Sequence, residues 1–374
     1  MPPKHDELRY QTRLEARREH RKADPTVAEV GLLGRRPFLK LAAGVLTTGA
    51  LTAGGWAIVN RDRNLFQVRR EGKLMETSVS VNVYADDPDA ARQGIDAAFA
   101  RMASAAAILN RFDPNSAVGR LNRFGQLLDP PAALHAVVDR SLSIAAHTEG
   151  DFDITVAPVL DYYLSLSRPV ALSPEIRRKV AQRESLVDYR DVELAPARVG
   201  LRRSGTSITL DGIAKGYVVD QGIAALRAVG IEYALVDAGG DLRAIAGADP
   251  RQFWNVGIVD PLHIDRVACV VRLRNAALST SGNYEIFFTA DRRLFHIINP
   301  HTGYSPDGYS SVTVMADEAM ESDAMSVAAF SMDLLRLKQT MAARRQEWLV
   351  FSWDGTARWR SQNLPLISGD VAVA

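Results

Sequence analysis

The stretch Ser207-Ile208-Thr209-Leu210-Asp211-Gly212-Ile213-Ala214-Lys215-Gly216-Tyr217-Val218-Val219-Asp220 joins a short β-patterned run to a helix. Ser207 to Leu210 has the character of a strand. Ile213 opens a helical pattern that reaches Val229 and stops at Gly230, which can take the left-handed C-terminal conformation. Strand-like runs then dominate the C-terminal side: Tyr233 to Val236, Trp254 to Val259, Val267 to Leu273, Glu285 to Phe288, Leu294 to Ile298 and Ser311 to Met315, with one more helix from Ala319 to about Met332.

On the N-terminal side, Val79, Val81 and Val83 alternate with polar residues between Ser78 and Tyr84, the period of a half-buried strand. Ile95, Phe99, Met102, Ala106 and Leu109 then recur at helical spacing. Further helical patterns run from about Pro131 to His147 and from Pro174 to about Arg183. The order is neither strict strand-helix alternation nor all strand. It predicts an α+β fold, with mixed, mostly antiparallel sheets packed with helices in a single domain spanning 66–374.

With 45 basic against 44 acidic residues and a formal net charge of +1, no global field favours nucleic acid. The single cysteine, Cys269, excludes an intramolecular disulfide and any multi-cysteine metal site. Residues 1–60 read as an address and not as part of the fold. A charged segment precedes Gly34-Arg35-Arg36-Pro37-Phe38-Leu39-Lys40, and an uncharged run follows from Leu41 to Val59. Paired arginines before a mildly apolar segment resemble a twin-arginine export signal, which predicts a periplasmic protein or one anchored to the outer face of the membrane. No cysteine follows the apolar run to carry a lipid.

Four stretches carry candidate chemistry. Gly212 at a strand-to-helix junction, with Lys215 in the first helical turn, would set backbone N–H groups and a cation against an anion such as a pyrophosphate, although glycine turns and exposed lysines are commonplace. In Asp237-Ala238-Gly239-Gly240-Asp241 the paired glycines let a backbone approach a ligand or another segment closely. His296, at the predicted end of a strand, has the chemistry of a proton acceptor or of an ordinary packed histidine. Asp323 lies on an otherwise apolar helix face and requires a partner, either a bound cation or a buried basic side chain.

Taken together, the segments resemble the ApbE flavinyltransferase family. The matching stretches are Met75 to Val81, Phe112 to Ser116, Phe152 to Pro158, Ile213 to Asp220, Ala238 to Asp241, Ser281 to Tyr284, His296 to Gly303 and Ser322 to Ala324. The resemblance implies an FAD:protein FMN transferase, dependent on magnesium, that joins FMN to a Thr or Ser hydroxyl of an acceptor flavoprotein and releases AMP. It further implies that Met75 and Phe112 pack on the flavin. Asp151, Phe152, Asp153, Thr209, Lys215, Gly239, Gly240 and Ile297 would contact FAD, the Gly212 carbonyl and Asp323 would hold Mg2+, and His296 would act as base.

Three departures stand out. Relatives commonly have a threonine metal ligand where this chain has Val327, with Ser326 or water as the replacement. They commonly have aspartate at Thr209 and glycine at Asp211, and this variant looks more like the branch associated with nitrous oxide reductase maturation; Asp211 is then the candidate to restore the carboxylate. Asn299 and His301 stand where aspartate and arginine are frequent. The residues by themselves leave open a flavin carrier without transfer activity, or an FAD pyrophosphatase.

Overall fold

The computed structural model describes residues 65–374 together with two short backbone fragments, Ala28–Glu29 and Ala57–Val59. The charged leader, the paired arginines and most of the apolar run lie outside the described residues. Among the described residues no helix is long and apolar enough to cross a membrane.

A hairpin of β1 (Phe66–Leu74) and β2 (Thr77–Ala85) opens the domain, and α1 (Pro88–Leu109), α2 (Ala117–Phe124), β3 (Gln126–Leu128), α3 (Ala132–His147), α4 (Ala157–Ser165) and α5 (Pro174–Glu184) follow. After the small hairpin β4 (Val192–Ala195) and β5 (Arg198–Leu201) comes α6 (Ala214–Ala228). The remainder is β6 (Tyr233–Ala238), β7 (Asp241–Ile245), β8 (Trp254–Val259), β9 (Val267–Leu273), β10 (Ala277–Gly282), β11 (Tyr309–Ala316), α7 (Ala319–Phe330), α8 (Leu334–Ala343), β12 (Glu347–Ser352), β13 (Arg358–Arg360), β14 (Leu366–Ser368) and β15 (Ala372–Val373).

The main sheet has ten strands in the order Ala28–Glu29, β1, β2, β6, β7, β10, β11, β12, β13, β15, and every pair but the last is antiparallel. Two-residue periodicity divides its faces. Val79, Val81 and Val83 of β2, with Ala234, Val236 and Ala238 of β6, pack under α1 and α6. The intervening Tyr84, Tyr233 and Leu235 face the four-stranded sheet of β14, β9, β8 and Ala57–Val59, where Trp254 is fully buried. Full burial of each such side chain stabilises the fold by about 1.5–3 kcal/mol. The α+β expectation therefore holds.

Three predicted strands are absent. Ser207–Leu210 is extended but joins no ladder: the Asn122 side chain both donates to the Ile208 carbonyl and accepts its N–H, each at 2.8 Å, while the Thr209 N–H donates to Ile154 O at 2.7 Å. The runs 285–288 and 294–298 meet only through a bridge between Phe287 and Phe295. The Ser305 hydroxyl occupies the Phe295 backbone, accepting its N–H and donating to its carbonyl, both at 2.7 Å. A side chain thus supplies bonds that a neighbouring strand would otherwise make.

Candidate active site

The site is built where the first turns of α6 and α7 cross beside the start of β7. A Cβ on Gly216 would lie 2.1 Å from the Ala319 carbonyl oxygen, so only glycine allows the two helices to approach this closely. At that crossing Asp323, 1% exposed, accepts the Gly216 N–H at 3.0 Å. Lys215 forms an ion pair with buried Asp241 of β7 and stands 3.7 Å from Asp323.

Two buried carboxylates here share one ammonium. Burial, with Asp241 close by, pushes the Asp323 carboxyl above the usual range against the pull of Lys215. Burial also works against the Lys215 ammonium, but Asp241 and Asp323 outweigh it and hold its pKa above the ordinary lysine value. The excess of negative charge makes the cluster receptive to a further cation. Among the described residues no group of three or more His, Cys, Asp or Glu side chains forms a metal site. With Asp241 paired to Lys215, Asp323 is the carboxylate that could serve a hard divalent cation, an ion that takes oxygen ligands and keeps several waters.

The turn Met75-Glu76, with both residues at positive φ, ends the first hairpin next to the Gly239-Gly240 turn, where a Cβ on Gly239 would meet the Thr77 hydroxyl at 2.3 Å. Asp237 is half-buried beside this turn and accepts the Gly240 N–H at 3.0 Å; partial desolvation raises its carboxyl to about 6. Gly212 faces Val327 and Phe152, at 3.0 Å and 3.6 Å from where a Cβ would sit. Beyond it, Asp211 accepts from Arg111 Nε at 2.8 Å, and Arg111 also donates to Asp161 at 2.5 Å. The Arg111 guanidinium lies 4.3 Å from the centre of the Phe112 ring, and Phe112 is 69% exposed.

His296 lies in the irregular run 294–298, one residue after the bridge between Phe295 and Phe287. Its backbone N–H donates to Ile286 O at 3.0 Å, and Nδ1 lies 3.4 Å from the same oxygen. A proton on Nδ1 directed at that carbonyl leaves the Nε2 lone pair available. Part of the ring edge meets solvent, but protein crowds the rest; burial pushes the imidazole down to about 4, with the Ile286 bond opposing and nearby Lys215 reinforcing the shift.

The predicted residues do not all converge. Met75, Phe112, Phe152, Gly212, Lys215, Gly239, Gly240, His296 and Asp323 belong to this region. Ile297 is buried beside Phe295 in the core behind it. Thr209 is buried and its hydroxyl accepts the Asp211 N–H at 3.1 Å. Asp153 turns inward: one oxygen accepts the Thr155 N–H at 2.8 Å and hydroxyl at 2.6 Å, the other the Tyr189 N–H at 2.8 Å, so its carboxylate is a cap. Asp151 faces Arg336 and His301, at 2.9 Å and 3.0 Å. The two candidate replacements for the missing threonine are also engaged. The Ser326 hydroxyl bonds Ser281 and the Asp323 carbonyl on another side of α7, and Asp211 is paired with Arg111. Asp241 and Arg111 join the site without a role assigned from sequence; Asp241 closes the Gly239-Gly240 stretch, but its partner Lys215 stands 26 residues away.

A family model described as the ApbE family matches residues 75–350. The chain is 31% identical over 281 residues to the FAD:protein FMN transferase of Treponema pallidum, covering 69% of this chain and 76% of that protein. It is 25% identical over 308 residues to the enzyme of the same name from Salmonella typhimurium, covering 78% and 86%. Among solved structures, that of the ApbE protein of Thermotoga maritima superposes with a TM-score of 0.71 at 28% identity, covering 80% of this chain and 97% of that one. The flavin transferase of Vibrio cholerae gives 0.69 at 21% identity, covering 81% and 100%, a likeness of fold.

Proposed function

The chain belongs to the ApbE family, and we infer that it is an FAD:protein FMN transferase acting on an acceptor flavoprotein. The observation that carries this reading is the meeting of Lys215, Asp241 and Asp323 at the α6–α7 crossing, with His296 at the same site.

In the proposed reaction the acceptor's Thr or Ser oxygen forms a bond to the FMN phosphorus of FAD while the phosphoanhydride bond breaks and AMP leaves. The attacking hydroxyl gives its proton to His296 Nε2, which is unprotonated at neutral pH and supports general-base catalysis worth about 10²–10⁴-fold. Lys215 and the backbone of Gly239 and Gly240 hold the nucleotide, while the exposed Phe112 ring and Met75 offer the flavin an apolar contact. Asp323, with the Gly212 carbonyl, would hold Mg2+, which when bound neutralises charge developing on the phosphate oxygens. Val327 could supply no ligand there, and water would have to take the place of a side-chain oxygen.

Twin-arginine export of residues 1–60 would place this enzyme in the periplasm or on the outer face of the membrane, beside electron-transfer acceptors. The test is covalent flavin fluorescence. Acceptor protein incubated with the chain, FAD and Mg2+ should remain fluorescent after denaturing electrophoresis, and Asp323→Ala should abolish the band.

A further inference from the structure

Neither helix at the site is capped by its own sequence. Ile213 at the start of α6 and Glu318 at the start of α7 make no side-chain cap bond. Each helix instead takes a carboxylate from the other. Asp323 of α7 accepts the Gly216 N–H of α6 at 3.0 Å, and Asp220 of α6 accepts the Ala319 and Met320 N–H groups of α7 at 3.0 Å and 2.9 Å. Asp220 is itself held by Arg243 at 2.6 Å, and both side chains are largely buried. Arg243 lies two residues along β7 from Asp241, so one strand face supports both Lys215 and Asp220 of α6.

We propose that Asp220 is a positioning residue of the transfer site, clamping the first turn of α7 to α6 so that Asp323 is delivered against Gly216 and Lys215. The proposal rests on the transferase reading only for its kinetic consequence. Lys215 and Asp241 both lie outside α7, so loosening the clamp displaces Asp323 and leaves the lysine's other pair intact. The nucleotide contacts therefore survive while the chemical step suffers.

The experiment compares the full chain with Asp220→Ala, Asp220→Asn and, as a remote cap loss, Asp87→Ala. Asp87 accepts the Asp89 N–H at 2.9 Å at the start of α1, far from the chemistry in sequence. Hydrogen exchange at residues 213–218 should accelerate about tenfold in Asp220→Ala relative to both the unsubstituted chain and Asp87→Ala. Asp220→Asn, which retains one acceptor oxygen, should fall between them and provides the folded test if the alanine variant does not accumulate. In the transfer assay kcat should fall about tenfold with the KM for FAD nearly unchanged, the mark of an interaction lost mainly in the transition state. Unchanged protection at 213–218 in both variants overturns the clamp, and faster exchange with unchanged kcat overturns its positioning role. If the unsubstituted chain transfers no FMN while the exchange effect appears, the clamp stands and the transferase reading falls.

Discussion

Val327 Cγ2 lies 3.0 Å from where a Cβ on Gly212 would sit, so the α7 residue one turn after Asp323 presents methyl groups to the proposed metal site. An aliphatic side chain contributes nothing to a hard cation. Val327→Thr, nearly isosteric, should therefore lower the Mg2+ concentration for half-maximal transfer by about tenfold, equivalent to 1.4 kcal/mol of binding. Titration calorimetry of Mg2+ into the FAD-bound chain checks it; equal affinity in the two proteins would remove Val327 from the site.

Much of this architecture is written in local pattern. Valine alternation marks β2, the 3-4 spacing marks α1, and Gly230 closes α6. What fails is where long-range side-chain bonding decides the backbone. Nothing within 207–210 reveals that Asn122, 86 residues away, takes both Ile208 backbone groups, or that Ser305 occupies Phe295. The candidate site was legible for a similar reason and to a similar extent. Lys215 and Asp323 stand out as charges in glycine-rich or apolar surroundings, whereas the partners Asp241, Arg111 and Asp220 acquire meaning only once distant strands and helices meet. Asp153 shows the converse, an acidic residue in a matching stretch that folding commits to a cap.

Lys215→Met should destabilise the fold by about 3 kcal/mol, because removing one member of a buried ion cluster leaves its partners uncompensated. The Asp323 carboxyl titrates above its unfolded value, so the native state binds more protons than the unfolded state across that interval and stability falls as pH rises through it. Without Lys215 this slope should steepen. Chemical denaturation at pH 5 and pH 8 checks the sign: the defect should be larger at pH 8.

Gly216→Ala should separate α6 from α7. Its methyl group would lie 2.1 Å from the Ala319 carbonyl oxygen, within backbone that has no rotamer with which to yield. A loss of about 1–3 kcal/mol, read as a drop of several degrees in the thermal midpoint, should accompany loss of transfer.

His296, depressed to about 4, should keep the acid limb of the transfer rate well below the ordinary histidine value near 6.5. A depressed folded pKa means that the native state binds fewer protons, so the contribution to stability is complete above about 6.5 and is lost as pH falls toward about 4. His296→Ala should remove that limb while FAD binding persists, as read by the pH-rate profile and by flavin fluorescence quenching.

The most direct measurement is the intact mass of a threonine-bearing acceptor after incubation with the purified chain, FAD and Mg2+. The expected result is a mass increase of one covalently bound FMN, absent with Asp323→Ala and formed about 10²–10⁴-fold more slowly with His296→Ala. Release of AMP with no change in acceptor mass, or FAD bound and returned intact across several acceptors, would contradict it.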